Sequence, residues 1–151
     1  MAHHGDNFRN QRYVLLVDMN QRSSKKRLYV FDLEQGTLER HNVAHGKGSD
    51  PKATGFAKLF SNQEDSDKTS LGAYATEDAY DGEHGTELHL EGLEPTNSRA
   101  RERNIVLHGA SYVEDGNKEA GRSWGCPAVD LHVVKDLIGQ VKDGAMLLIW
   151  K

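Results

Sequence analysis

Cysteine is nearly absent from this chain of 151 residues: Cys126 is the only one, so no internal disulfide can form. Proline is scarce, at 3, and aromatic residues make up only 7%. No apolar run approaches the roughly 20 residues that a membrane-spanning helix requires. Excess positive charge is missing too: 19 basic residues face 23 acidic ones, for a net charge of −4. Without a basic stripe interleaved with aromatics, nucleic-acid binding is not expected. The segment from Met1 to Gln11 is polar and has no apolar core of an export signal. Met1-Ala2-His3-His4 reads as an expression remnant or a natural start, and residues 1–12 as a flexible N-terminal segment.

What the chain does have is glycine, at 15, and a hydrophobic fraction of 36%, enough for one domain with a modest core and a very polar surface. Tyr13-Val14-Leu15-Leu16-Val17-Asp18 reads as a strand, followed by Arg27 to Asp32 and, after a Glu34-Gln35-Gly36 turn, Thr37 to Val43. These three predict an antiparallel meander. The stretch from Gly46 to Thr69 is too long for a plain turn, and loops of that length are usually functional or mobile. Leu71 to Thr76 and Thr86 to Leu90 predict two further strands around a turn from Tyr80 to Gly85, and Asn104 to His108 a short buried one. Pro95 to Arg103 reads as a charged surface segment. Asp130 is placed as an N-cap; Leu131, Val134, Leu137, Ile138 and Val141 then recur at helical spacing, and Ala145 to Trp150 forms a last strand.

The lone cysteine sits in Arg122-Ser123-Trp124-Gly125-Cys126-Pro127, and the predicted strand upstream ends in Leu107-His108-Gly109. A single cysteine is usually a small buried hydrophobe. Here Gly125 and Pro127 flank it, and Gly121, Arg122 and Ser123 precede it, which is not the setting of a core strand. The pattern suggests a Cys126–His108 nucleophile pair, in which the imidazole takes the thiol proton or holds the thiolate. A thiol pKa below that of a free cysteine is the expectation that follows. Backbone N–H groups at Gly125 and Cys126 are the candidate oxyanion donors. Ser123 reads equally as a turn-forming residue or as part of the catalytic group.

These residues resemble the L,D-transpeptidase catalytic domain, the YkuD-type fold, in which a His-Gly precedes a Ser/Thr-His-Gly-Cys. The nearer match is its murein L,D-transpeptidase catalytic domain-like branch. Gly121 to Val129 is similar to that branch, as are Val43-Ala44-His45-Gly46-Lys47-Gly48-Ser49, Phe60-Ser61-Asn62, Ser70 to Tyr74, Leu90 to Glu94 and Val106 to Val113. The likeness runs from about Tyr13 to Ile149, marking residues 13–151 as a single catalytic domain. It implies a mostly β fold, a β-sandwich with one main helix. It also implies a cell-envelope location, periplasmic or extracellular, with peptidoglycan stem peptides as partners, and no cofactor; a monomer is expected.

The implied reaction is acyl transfer from a tetrapeptide stem, through a Cys126 thioester, to an acceptor amine, giving a 3→3 crosslink. With water as acceptor it becomes an L,D-carboxypeptidase reaction. A catalytically silent cell-wall-binding module is the alternative of another class. The resemblance makes Gly109 the position beside the histidine that orients it. Two departures stand out: Trp124 occupies the place of a second histidine, and Ala128 that of an Arg or Asn, leaving Arg122 as the nearby positive charge. Candidate substrate contacts are Arg122, Trp124, Tyr112, Ser61, Asn62 and Tyr80, with the loop after Gly46 and the turn after Tyr80 bordering the cleft. His84 with His89, and His41 with His45, lack a recognised zinc spacing, so no metal is expected. Arg99, Arg101 and Arg103 read as a solvated face.

Overall fold

A computed structural model describes residues 8–151; the expression-remnant reading of Met1 to His4 lies outside the described residues. From Asn10 onward the expected tail is tied to the body. The Asn10 side chain donates to the Gln140 and Lys142 carbonyls, and Arg12 pairs with Asp32 at 3.0 Å.

The first strands follow from side-chain alternation. β1 (Tyr13–Asp18) buries Leu15 and Val17, and β2 (Leu28–Asp32) buries Leu28 and Val30. β3 (Thr37–His41) is exposed along nearly its whole length, as an edge strand is. β1, β2 and β3 pair antiparallel, the expected meander. β4 (Gly72–Gly82) and β5 (Gly85–Gly92) form a long hairpin, so Tyr80 to Gly82 belong to a strand and only Glu83 and His84 turn. β6 (Val106–Ala110) is buried throughout. β7 (Ala128–Asp130), not expected from the sequence, pairs parallel with it and takes up the Asp130 placed as a helix cap. α1 (Val134–Val141) buries Val134, Leu137, Ile138 and Val141 against β1, β4 and β5; Leu131, placed on that face, precedes the helix and is exposed. β8 (Met146–Trp150) returns parallel to β1.

The described residues form a mostly β domain with one helix. The sandwich is realised as one eight-stranded sheet in the order β3-β2-β1-β8-β4-β5-β6-β7, curled like a barrel. The strap after β3 closes it. Ala44 bridges to Ala128, next to β6, and Gly46 to Ser123, so chain leaving one edge of the sheet lies along the other. That closure brings His45 and Gly46 against the segment that carries Cys126.

Candidate active site

Cys126 and His108 reach the same place by neighbouring routes. His108 is in β6, and its ladder partner in β7 is Ala128, two residues past the cysteine. Both line one cavity of about 700 Å³, a size typical of small-molecule sites. Tyr80, Tyr112, Arg122, Ser123 and Trp124 line it as well, while Ser61 and Asn62 do not. Asn62 instead bonds to Pro95, Ser98 and Arg99, fastening one loop to another.

The imidazole of His108 is buried, and its Nδ1 lies 2.9 Å from the Gly109 carbonyl oxygen. A carbonyl only accepts, so Nδ1 carries the hydrogen and the neutral ring keeps its lone pair at Nε2. Burial lowers the pKa of His108, outweighing the Gly109 carbonyl, so the ring is neutral at pH 7. The Cys126 sulfur has the Asn104 carbonyl oxygen at 3.6 Å and accepts from the Val106 N–H at 3.4 Å. Burial raises its pKa, against the Val106 N–H, which lowers it. This reverses the expected lowering: burial favours the protonated thiol at Cys126 and the neutral ring at His108, across the cavity that both line.

The loop that presents the sulfur is held at several points. The Ser123 hydroxyl donates to the Cys126 carbonyl at 2.6 Å and accepts from the Gly125 N–H at 3.2 Å. Ser123 therefore closes the turn, and the Gly125 N–H expected at the oxyanion is engaged by it. The Cys126 N–H meets no acceptor among the described residues. Gly125 has φ +118°, and a Cβ there would lie 3.0 Å from the Lys68 carbonyl oxygen and 3.1 Å from the Arg103 guanidinium, so this position requires glycine. Arg103 is correspondingly no solvated residue. Its guanidinium donates to the Ser61 and Lys68 carbonyls and to Ser70, pegging the long loop behind Gly125.

On the other side, the Ser123 N–H donates to the His45 carbonyl at 3.0 Å. The His45 ring belongs to a fully enclosed relay. Arg27 Nη2 lies 2.8 Å from His45 Nδ1, and His45 Nε2 lies 3.0 Å from Asp50 Oδ2. Arginine only donates, so Nδ1 accepts and Nε2–H donates to the carboxylate. Burial and the adjacent Arg27 cation push the His45 pKa down to about 4, against Asp50, which raises it. Burial pushes Asp50 up, but hydrogen bonds from Thr54, His45 and Gly55 prevail and bring it to about 2. Arg122 donates to the Asp50 and Pro51 carbonyls, so its charge is anchored in the cavity wall. Trp124 is 80% exposed and stands between the main cavity and a smaller hollow of about 480 Å³. Tyr112 is 40% exposed at the rim.

Sequence reasoning placed the turn that carries His84 at the cleft but named neither His84 nor Glu87 as a site residue. His84 and His89 turn to separate carboxylates, Glu87 and Asp78, as His41 and His45 turn to Asp115 and Asp50. The hydroxyl of Tyr80 donates to Glu87 at 2.6 Å, and both residues line the cavity. The i, i+3 spacing of His84 and Glu87 across a tight hairpin was the available signal.

A curled, mostly β domain with a cysteine and a tautomer-fixed histidine opening on one cavity has the equipment for nucleophilic catalysis. Residues 1–150 match the L,D-transpeptidase catalytic domain family, and the chain belongs to it. Its fold is shared with the Bdellovibrio bacteriovorus protein Bd1075, at TM-score 0.54 and 21% identity, covering 92% of this chain and 48% of that one. An L,D-transpeptidase from Mycobacterium smegmatis is also similar, at TM-score 0.58 and 10% identity, covering 93% and 59%. The chain thus spans between about half and three-fifths of the length of these two structures. No curated protein sequence matches it. Members of the family are associated with the cell envelope, and no helix among the described residues is long and apolar enough to cross a membrane.

Proposed function

We propose that the domain is a cysteine-dependent peptidoglycan L,D-transpeptidase, acting as a monomer in the periplasm or outer cell envelope. The observation that carries this reading is the opening of Cys126 and His108, with Nε2 free, on one cavity. The Cys126 sulfur attacks the amide carbonyl of a tetrapeptide stem at its terminal D-alanine, and the thiol proton passes to His108 Nε2. A carbon–sulfur bond forms and the carbonyl oxygen becomes an oxyanion, for which the unengaged Cys126 N–H is the available donor. The carbon–nitrogen bond then breaks, and D-alanine leaves with the proton from His108. The amine of a second stem attacks the thioester, returns the thiol and gives the 3→3 crosslink.

A neutral imidazole is the form this sequence needs at its start, and burial keeps His108 in that form. Trp124, exposed at the cavity, and the ring of Tyr112 supply apolar surface for a peptide. If water replaces the amine, the same steps make an L,D-carboxypeptidase; the choice depends on how well an acceptor amine is positioned. Incubation with purified disaccharide-tetrapeptide, read by mass spectrometry, tests the reading. Crosslinked dimer supports transpeptidation, tripeptide stem alone supports hydrolysis, and unchanged substrate contradicts both.

A further inference from the structure

His84 stands on the tight turn between β4 and β5, and its ring lies flat against His108, with centroids 4.1 Å apart and planes 20° from parallel. The ring is fixed from behind. Its Nδ1 is 2.7 Å from Glu87 Oε2, and its backbone N–H donates to the same oxygen at 2.8 Å. Glu87 is 4% exposed, is the ladder partner of His108 and receives the Tyr80 hydroxyl on its other oxygen. Gly82 makes room for this carboxylate, since a Cβ there would fall 2.5 Å from Glu87 Oε1. Burial raises the Glu87 pKa, but the hydrogen bonds from Tyr80 and His84 outweigh it, so the carboxylate is ionised at neutral pH. A buried anion, reached from two strands and a turn, thus aims a half-exposed imidazole at the face of the candidate base. A hairpin turn needs no ring at that position, and the acyl-transfer steps do not use it.

We infer that His84 is a positioning residue for His108: clamped by Glu87, it covers one face of the imidazole, holds Nδ1–H on the Gly109 carbonyl and opposes a positive charge on that ring. The inference rests on His108 being the base, and it deepens that reading by naming what keeps the base neutral and in one tautomer. Two rings stacked at this distance cannot both become cations without strong repulsion. Burial lowers the His108 pKa first, His84 adds to the lowering, and the Gly109 carbonyl and Glu87 oppose it. From the other sides, the guanidiniums of Arg103 and Arg122 are bonded to backbone carbonyls, β7 presents Ala128, and Val134 of α1 packs beside Gly109. Cys126 and Tyr112 are titratable neighbours around the cavity, and burial raises the pKa of both.

The test reads His108 rather than turnover, so its outcome is separate from that of the peptidoglycan assay. Ring-nitrogen NMR spectra of the full chain are recorded against pH for wild type, His84→Phe and His84→Ala. Wild type shows the Nδ1–H tautomer. His84→Phe keeps a stacked ring that cannot become a cation, so the tautomer signature persists while the His108 titration midpoint moves up. His84→Ala moves the midpoint up and also degrades the signature toward a tautomer mixture. A midpoint unchanged in both variants, or an intact signature in His84→Ala, overturns the inference. If His84→Ala does not fold, the midpoint of His84→Phe decides.

Discussion

Acid should loosen this domain through His45 well before its carboxylates titrate. The ring is enclosed, with Nδ1 accepting from the Arg27 guanidinium, so a proton added there would meet both a cation and a lost acceptor. Its pKa is near 4 in the fold, against the ordinary 6.5. A histidine held below its unfolded value binds fewer protons folded than unfolded, so its stabilisation is present above 6.5 and is lost as pH falls toward 4. Between pH 7 and pH 5 the loss is about 2 kcal/mol, a lowering of Tm by roughly 4–8 °C for a domain of this size. Asp50, held at about 2, contributes a loss of the same sign only below the ordinary 3.8. Urea denaturation at pH 7 and pH 5 measures the effect in wild type and in His45→Gln, whose amide can still donate to Asp50. The variant should start less stable at pH 7 and lose distinctly less on acidification. Equal losses in the two proteins would mean that His45 does not carry the acid response, and the relay would have to be reconsidered.

The thiol should show no resting activation: its alkylation by iodoacetamide should climb toward alkaline pH with no plateau near neutrality, because burial raises its pKa. A plateau already at pH 7 would reveal a resting ion pair with His108. Gly125→Ala should cost about 1–3 kcal/mol through backbone strain alone, with more from the approach to Lys68 and Arg103; an unchanged Tm would show that the loop has another conformation. Tyr80→Phe removes a donor from a buried carboxylate and should cost about 1–3 kcal/mol by chemical denaturation, unless Glu87 finds a new partner, which an unchanged midpoint would reveal.

The legible parts of this chain were those written in local periodicity. β1 matches its expected bounds, and the helix spacing of Val134, Leu137, Ile138 and Val141 marks the face that is buried. Cys126 and His108 were legible because a lone cysteine between Gly and Pro, and a histidine closing an apolar run, are unusual in a core. What stayed hidden depends on pairing between distant segments. β7 is three residues long and exists because β6 lies beside it, while the parallel β1–β8 contact joins the two ends of the domain. The Arg27–His45–Asp50 relay assembles only when the strap after β3 crosses to β7. Arg103 looked like one more charge in a basic run, and its carbonyl partners lie more than 30 residues away. Ser61 and Asn62 matched a family segment, but that segment is joined to neighbouring loops rather than to the cavity.

The most direct test of catalysis through Cys126 is the intact mass of the protein, quenched rapidly in acid during turnover of disaccharide-tetrapeptide. The predicted result is an adduct of the substrate less its terminal D-alanine, mapped to Cys126 by peptide analysis and missing in Cys126→Ala, whose Tm stays close to wild type. Turnover of the tetrapeptide by a folded Cys126→Ala protein, or an adduct on any other residue, would contradict it.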